Sequence, residues 1–196
     1  MGLRLDGATG WLEGVRLVPS PNCDARPQGC DVELVVVHNI SLPPREFGGL
    51  DIDRLFTNTL DPAAHPYFLG IAHVPVSAHL LIARNGRVTQ YVSLYERAWH
   101  AGVSSFRGRE RCNDFSVGIE LEGADDIPYE DTQYGRLAEL VRILRERWPG
   151  LGDDRLVGHS DIAPGRKTDP GPAFHWTRLR GLVSSGRPRP PARTRY

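Results

Sequence analysis

The chain has 196 residues, and its 24 basic residues balance 24 acidic ones. At about 150 residues per domain the length points to one ample domain with a full apolar core, and the zero balance argues against a nucleic-acid or membrane-surface protein. The basic set is lopsided: every member is arginine except Lys167.

Cys23, Cys30 and Cys112 are odd in number, include no Cys-x-x-Cys pair and lack zinc-knuckle spacing, which points to a reducing compartment. The first residues hold no apolar run fit for a signal sequence. No stretch approaches the roughly 18 apolar residues of a membrane span, and Asp6 stands where a myristoylation signal wants Ser or Thr. The expectation is a soluble cytosolic protein.

Taken in order, the run Glu33 to His38 (ELVVVH) is continuous and β-branched, the pattern of a strand buried on both faces, and His38 ends it. A polar, proline-containing stretch leads to DIDRLFTNTL, where Asp51 caps a short helix with Ile52, Leu55 and Phe56 on one face. Residues 61–75 are punctuated by prolines and read as a loop. AHLLIARNGRVTQYVS gives two strands joined at Asn85-Gly86.

Ser116 to Glu122 alternates Val117, Ile119 and Leu121 against Ser116, Gly118 and Glu120, a half-buried strand with Glu120 opposite the apolar set. Thr132 to Trp148 places Leu137, Leu140, Val141, Leu144 and Trp148 on one helical stripe, stopped by Pro149-Gly150. Asp154 to Val157 reads as one more short strand, with His159 just past it. Strands interleaved with two or three helices give an α/β (α+β) class: a single domain, residues 1–183, with a central mixed β-sheet flanked by helices. Residues 184–196 carry arginine and proline but no acid, and are expected to form a disordered tail.

Seven histidines are present, most of them expected at the surface or supporting a site from behind its contacting groups. His38 and His159 stand apart because each ends a strand, where a side chain can point into a cleft. After His159, GHSDIAPGRKTDPGP sets Lys167 and Asp169 in a loop stiffened by Pro164, Pro170 and Pro172. Two imidazoles and one carboxylate would make a three-ligand zinc site with an open fourth position. On spacing alone, the alternative is an ordinary turn in which Asp169 hydrogen-bonds its own backbone. Glu120 is then either a solvent-facing or Arg-paired carboxylate, or a general base beside the metal. Cys112 has no nucleophile-elbow or protease context, so a thiol hydrolase is the weaker alternative. Deaminase, dinucleotide-binding and P-loop signatures are absent.

The stretches VVVHNISLPP, VSAHLLI, RAWHAGVSS, RERCNDFSVGIELEG and IAPGRKTDPGP, lying between Gly10 and Leu182, resemble the N-acetylmuramoyl-L-alanine amidase and peptidoglycan recognition protein superfamily. Within it they are most similar to the cytosolic zinc amidases of 1,6-anhydro-N-acetylmuramyl peptides. The resemblance implies zinc ligands at His38, His159 and Asp169, a catalytic carboxylate at Glu120 and a transition-state cation at Lys167. It also implies substrate-binding roles for Asn39, Arg111 and Ala163. The implied reaction is hydrolysis of the amide between the lactyl group of anhydro-muramic acid and L-alanine, releasing the stem peptide during peptidoglycan recycling, with a consequent effect on β-lactamase induction. An anhydro-muropeptide is the expected partner, with no nucleic acid, no membrane and a monomeric chain. The competing readings are a non-catalytic module that binds peptidoglycan fragments and a periplasmic-type amidase of intact peptidoglycan. The segment 41–75, next to His38, is a candidate lid.

Overall fold

The computed structural model describes residues 2–186. Four short strands open the chain: β1 (Arg4–Leu5), β2 (Leu12–Glu13), β3 (Arg16–Leu17) and β4 (Cys23–Ala25). Next come β5 (Leu34–Ile40), α1 (Asp51–Phe56), a 3-10 turn at Pro66–Gly70, β6 (Leu80–Ile82) and β7 (Val88–Gln90). Three more short strands follow: β8 (Glu96–Ala98), β9 (Ser105–Phe106) and β10 (Arg109–Glu110). The chain then forms β11 (Ser116–Glu122), α2 (Asp131–Arg147), β12 (Leu156–Gly158), the single-turn α3 (His159–Ile162) and α4 (Trp176–Ser185).

Six strands make one mixed sheet in the order β12, β5, β11, β6, β7, β3. The first four are parallel, β7 returns antiparallel to β6, and β3 lies parallel to β7 at the edge. The architecture is the mixed α/β single domain expected from the sequence. Val35 and Val37 of β5 and Val117, Ile119 and Leu121 of β11 pack against Leu137, Leu140, Val141 and Leu144 of α2 and Leu179 and Val183 of α4. Each of these side chains is buried, and each burial stabilises the fold by about 1.5–3 kcal/mol. The backbone N–H of Glu130 donates to Oε1 of Gln133 at 3.0 Å, satisfying one of the donors that a helix start leaves over.

Several local expectations change. β5 continues two residues beyond His38, to Ile40. The cap of α1 is Leu50, with no side-chain hydrogen bond; Asp51 lies inside the first turn and pairs with Arg54 at 2.7 Å. Its face of Ile52, Leu55 and Phe56 is buried as the periodicity requires. The β6–β7 connection is wider than a two-residue turn, because Ile82 pairs with Val88. Gly86 supplies the left-handed residue there, at φ 79°, and its N–H donates to the carbonyl of Ala83 at 2.8 Å.

β11 is buried on both faces rather than one, since it runs between two parallel neighbours with helices on one side and loops on the other. Asp153–Arg155 is a 3-10 turn that precedes β12. Ser184 and Ser185, assigned to the tail from sequence, are helical in α4, and the remaining tail residues 187–196 lie outside the described residues. Among the described residues, no helix is long and apolar enough to cross a membrane.

Candidate active site

Strand register assembles the site. β5 and β11 align His38 with Glu120, and β12 and β5 align Gly158 with Val37, so His159, one residue on, comes level with His38. The group therefore sits at the carboxyl ends of three adjacent parallel strands, where open α/β sheets place their clefts. The carboxylate of Asp161 accepts from the N–H of Gly158 at 2.7 Å and starts α3. The following loop returns Asp169 to the same spot, anchored by the N–H of Ser160 donating to the Asp169 carbonyl at 3.0 Å.

His38 Nδ1 and His159 Nδ1 are 3.0 Å apart, and Oδ2 of Asp169 lies 3.0 Å from the first and 3.1 Å from the second. These are the group whose donor atoms converge closely enough to hold a metal ion. Three atoms so spaced share a point about 2 Å from each, the distance at which zinc takes imidazole nitrogen and carboxylate oxygen. The donor set fits zinc. Both imidazoles are buried. Burial pushes His38 down to about 4 against the pull of Asp169, so it is neutral at pH 7 and free to offer a lone pair. Burial alone would raise the Asp169 carboxyl, but hydrogen bonding to His159 and His38 outweighs it and holds the group well below the usual carboxylate range.

Glu120 lies beside this trio without joining it. It is 9% exposed, and its Oε2 is buried with no hydrogen-bond partner. Burial pushes its carboxyl well above the ordinary range, Asp169 adds to the shift and Lys167 opposes it. A lone carboxylate oxygen held this way is poised to take up a proton. Lys167 lines the same cleft, a cavity of about 400 Å³ with an apolar wall formed by Leu42, Tyr67, Ile71, Val74 and Trp99.

The remaining candidates scatter. Asn39 lines the cleft, but its Nδ2 is engaged by Asp125 Oδ1 at 2.8 Å and the Pro170 carbonyl at 3.2 Å. Arg111 and Ala163 line a second, neighbouring depression with Gly102, Ser104, Pro164 and Arg166. The segment around residues 99–104 separates the two hollows, contributing Trp99 and His100 to one and Gly102 to Ser104 to the other. Arg111 is exposed and has a 3.3 Å contact with Asp114. Cys112 is fully buried and its thiol is pushed up by burial, which removes it as a nucleophile.

Three neighbours of the trio escaped the sequence reading. His100 contacts His38, Ser116 contacts His100, and Arg166 donates to the carbonyls of Ala101 and Val103 beside His159. The one sequence signal was Gly118, in the middle of a strand, where a Cβ would fall 2.4 Å from the His100 ring.

The N-acetylmuramoyl-L-alanine amidase family model matches residues 28–172. The chain belongs to this amidase family. The 1,6-anhydro-N-acetylmuramyl-L-alanine amidase AmpD of Citrobacter freundii is 60% identical over 175 residues, covering 89% of this chain and 93% of that protein. A crystal structure of a selenomethionine derivative of AmpD superposes with a TM-score of 0.88 at 60% identity, over 91% of this chain and 98% of that one. The amidase AmiD of Escherichia coli, solved with anhydro-N-acetylmuramic acid-L-Ala-D-γ-Glu-L-Lys as substrate, matches at 29% identity and TM-score 0.58, over 92% of this chain and 65% of that one. The matched residues 28–172 include His38, Glu120, His159, Lys167 and Asp169.

Proposed function

We propose that this chain is a zinc-dependent amidase that hydrolyses the bond between the lactyl group of 1,6-anhydro-N-acetylmuramic acid and L-alanine. One observation carries the reading: a buried, unpartnered Glu120 oxygen beside a converging His, His, Asp set in an open cleft. The likeness to AmpD and to a substrate complex of AmiD supports the choice of substrate.

A zinc ion on His38, His159 and Asp169 would supply Lewis acidity, lowering the pKa of water and polarising the scissile carbonyl. Glu120 accepts a proton from the attacking water and returns it to the departing amine of L-alanine, a role that typically contributes 10²–10⁴-fold. Lys167 faces the oxyanion that develops on the carbonyl oxygen, where one donor in a dry site lowers the barrier by about 3 kcal/mol. The apolar wall of the cleft excludes water, and in this reading its Leu42, Tyr67 and Val74 make the 41–75 segment a lid. Asn39 fixes the cleft edge next to the first ligand, and Arg111 with Ala163 receives the peptide stem in the second hollow.

The same reading places the enzyme in peptidoglycan recycling in the cytoplasm, consistent with three free thiols, and makes β-lactamase induction sensitive to its product. A binding module would not need an unpaired buried carboxylate opposite a complete ligand set, since a buried carboxyl without a partner costs stability. Mass spectrometry of purified anhydro-muropeptides and of whole sacculi, each incubated with the protein with and without chelator, tests the proposal. Release of the stem peptide from the soluble substrate, lost on chelation and restored by zinc, is expected. Cleavage of sacculi alone, or cleavage indifferent to chelator, overturns it.

A further inference from the structure

The two histidine ligands are supported in different ways. His159 Nε2 lies 3.1 Å from the carbonyl oxygen of Ala101, an acceptor that cannot change its role. His38 Nε2 instead meets another imidazole, His100 Nδ1, at 2.9 Å. A neutral imidazole nitrogen donates or accepts according to its tautomer, so His100 gives His38 a defined partner only if its own proton is fixed.

The geometry fixes it. His100 Nε2 lies 3.1 Å from Ser116 Oγ, and the Ser116 hydroxyl lies 2.6 Å from the carbonyl oxygen of Cys112. A carbonyl only accepts. The single hydroxyl proton of Ser116 therefore goes to Cys112, and Oγ accepts the proton of His100 Nε2. His100 Nδ1 is left bare and accepts from His38 Nε2–H, which leaves the lone pair of His38 Nδ1 directed at His159 and Asp169.

The backbone is shaped around this chain. Asn113 Oδ1 accepts from the N–H groups of His100 at 3.2 Å and Ala101 at 2.8 Å. On β11, Gly118 is the residue against which the ring rests, and a Cβ there would fall 2.4 Å from its Cγ. Ser116 and Gly118 occupy the same face of β11 as Glu120, so one strand face carries the last link of the chain, the space for the ring and the carboxylate.

We propose that His100, fixed by Ser116, is a positioning residue: it holds His38 in the tautomer that presents Nδ1 to the metal. The inference rests on the zinc reading above. Partners of this kind typically set metal affinity by about 10–100-fold.

The test is zinc affinity near neutral pH, measured by competition with a chromophoric chelator, with urea unfolding of each metal-free protein as the control for folding. His100→Phe keeps a ring but no acceptor and is expected to bind zinc about 10–100-fold more weakly. His100→Asn places an amide oxygen near the Nδ1 position and is expected to recover most of that loss. Ser116→Ala, which frees the His100 proton, is expected to fall between His100→Phe and the parent. Nitrogen NMR of the zinc-loaded parent is expected to find the His100 proton on Nε2. If His100→Phe does not fold, Ser116→Ala and the NMR spectrum decide. A folded His100→Phe with parental zinc affinity, a His100→Asn as weak as His100→Phe, or a proton on His100 Nδ1 overturns the role of His100 alone. A parent that binds no zinc overturns the zinc reading and this role with it.

Discussion

The two faces of β5 and β11 are formed by alternate residues of the same two segments and are held by different physics. One face, Val35, Val37, Val117, Ile119 and Leu121, lies against α2 and α4 and is apolar throughout. The other carries Leu34, Val36 and His38 of β5 with Ser116, Gly118 and Glu120 of β11, and is equally buried apart from its opening to the cleft. Burial on the first face is non-directional, so any side chain of suitable volume serves it. On the second face each polar group needs a partner in one direction, and Glu120 Oε2, which has none, is the atom on which the proposed chemistry rests. The first face is therefore apolar throughout, while the second combines the apolar packing of Leu34 and Val36 with directional polar contacts around His38 and Glu120.

The sharpest division is expected between removing a ligand and removing the base. His38→Ala should abolish both metal and turnover, while Glu120→Gln should retain zinc and lose about 10²–10⁴-fold in kcat. Metal content and rate measured on the same samples check both. A Glu120→Gln protein with near-parental turnover would make the unpartnered oxygen a structural accident and erase the contrast between the faces.

Acid should expose the second face as the less secure one. Burial pushes His38 down to about 4 and His79, whose Nδ1 accepts from the Gly118 N–H of β11 at 3.0 Å, down to about 3, and burial with neighbouring imidazoles pushes His100 the same way. Unfolded histidines protonate near pH 6.5, so below that the unfolded chain of the metal-free protein binds more protons at these positions and stability falls as pH falls. Glu120 acts in the opposite sense, because its raised pKa lets the native state hold a proton that the unfolded state releases. The imidazoles outnumber Glu120, so the stability of the metal-free protein is expected to fall between roughly pH 6 and 5, by about 1.4 kcal/mol per pH unit for each net proton. Glu120→Gln should steepen this fall by removing the opposing group. Urea unfolding across that range measures both slopes, and a flat profile would show that the buried imidazoles are charged in the native state.

On the apolar face, Leu137→Ala should cost about 2–5 kcal/mol in unfolding free energy. Its zinc affinity and kcat are expected to stay at parental values, since Leu137 is fully buried in the α2 core and touches none of the site. A large change in kcat with little loss of stability would contradict the separation of the two faces.

That separation also explains what could be read from the sequence. Periodicity reveals an apolar stripe, so α2 and the alternation of Val117, Ile119 and Leu121 were legible, and with them the strand ends where His38 and His159 lie. Strands β1, β2 and β3 have two residues each, too short to show any period. α4 was missed because only Leu179 and Val183 of its ten residues are buried. The burial of Ser116 and Gly118 was hidden because a polar alternation looks the same under solvent as under a folded loop. The His100 to Ser116 contact spans chain segments whose meeting depends on register, which no local pattern encodes.

The smallest effect is expected at the residue that the composition singled out. Lys167 lines the cleft, and its charge opposes the upward shift of Glu120. Lys167→Ala should cost about a hundredfold in kcat by removing a donor to the oxyanion. Lys167→Arg keeps the positive charge but replaces a compact, rotatable ammonium by a wide planar fork. If charge alone matters, Lys167→Arg should turn over as the parent does; if a point donor at one oxygen matters, its kcat should fall between parent and Lys167→Ala with KM little changed. We expect the second result, because Asp169 lies only two residues on in the same loop, so a broader group at 167 disturbs the ligand as it reaches the oxyanion. Zinc affinity measured alongside separates the two contributions: a weakened site points to crowding of Asp169, and an intact one assigns the loss to the geometry of the donor.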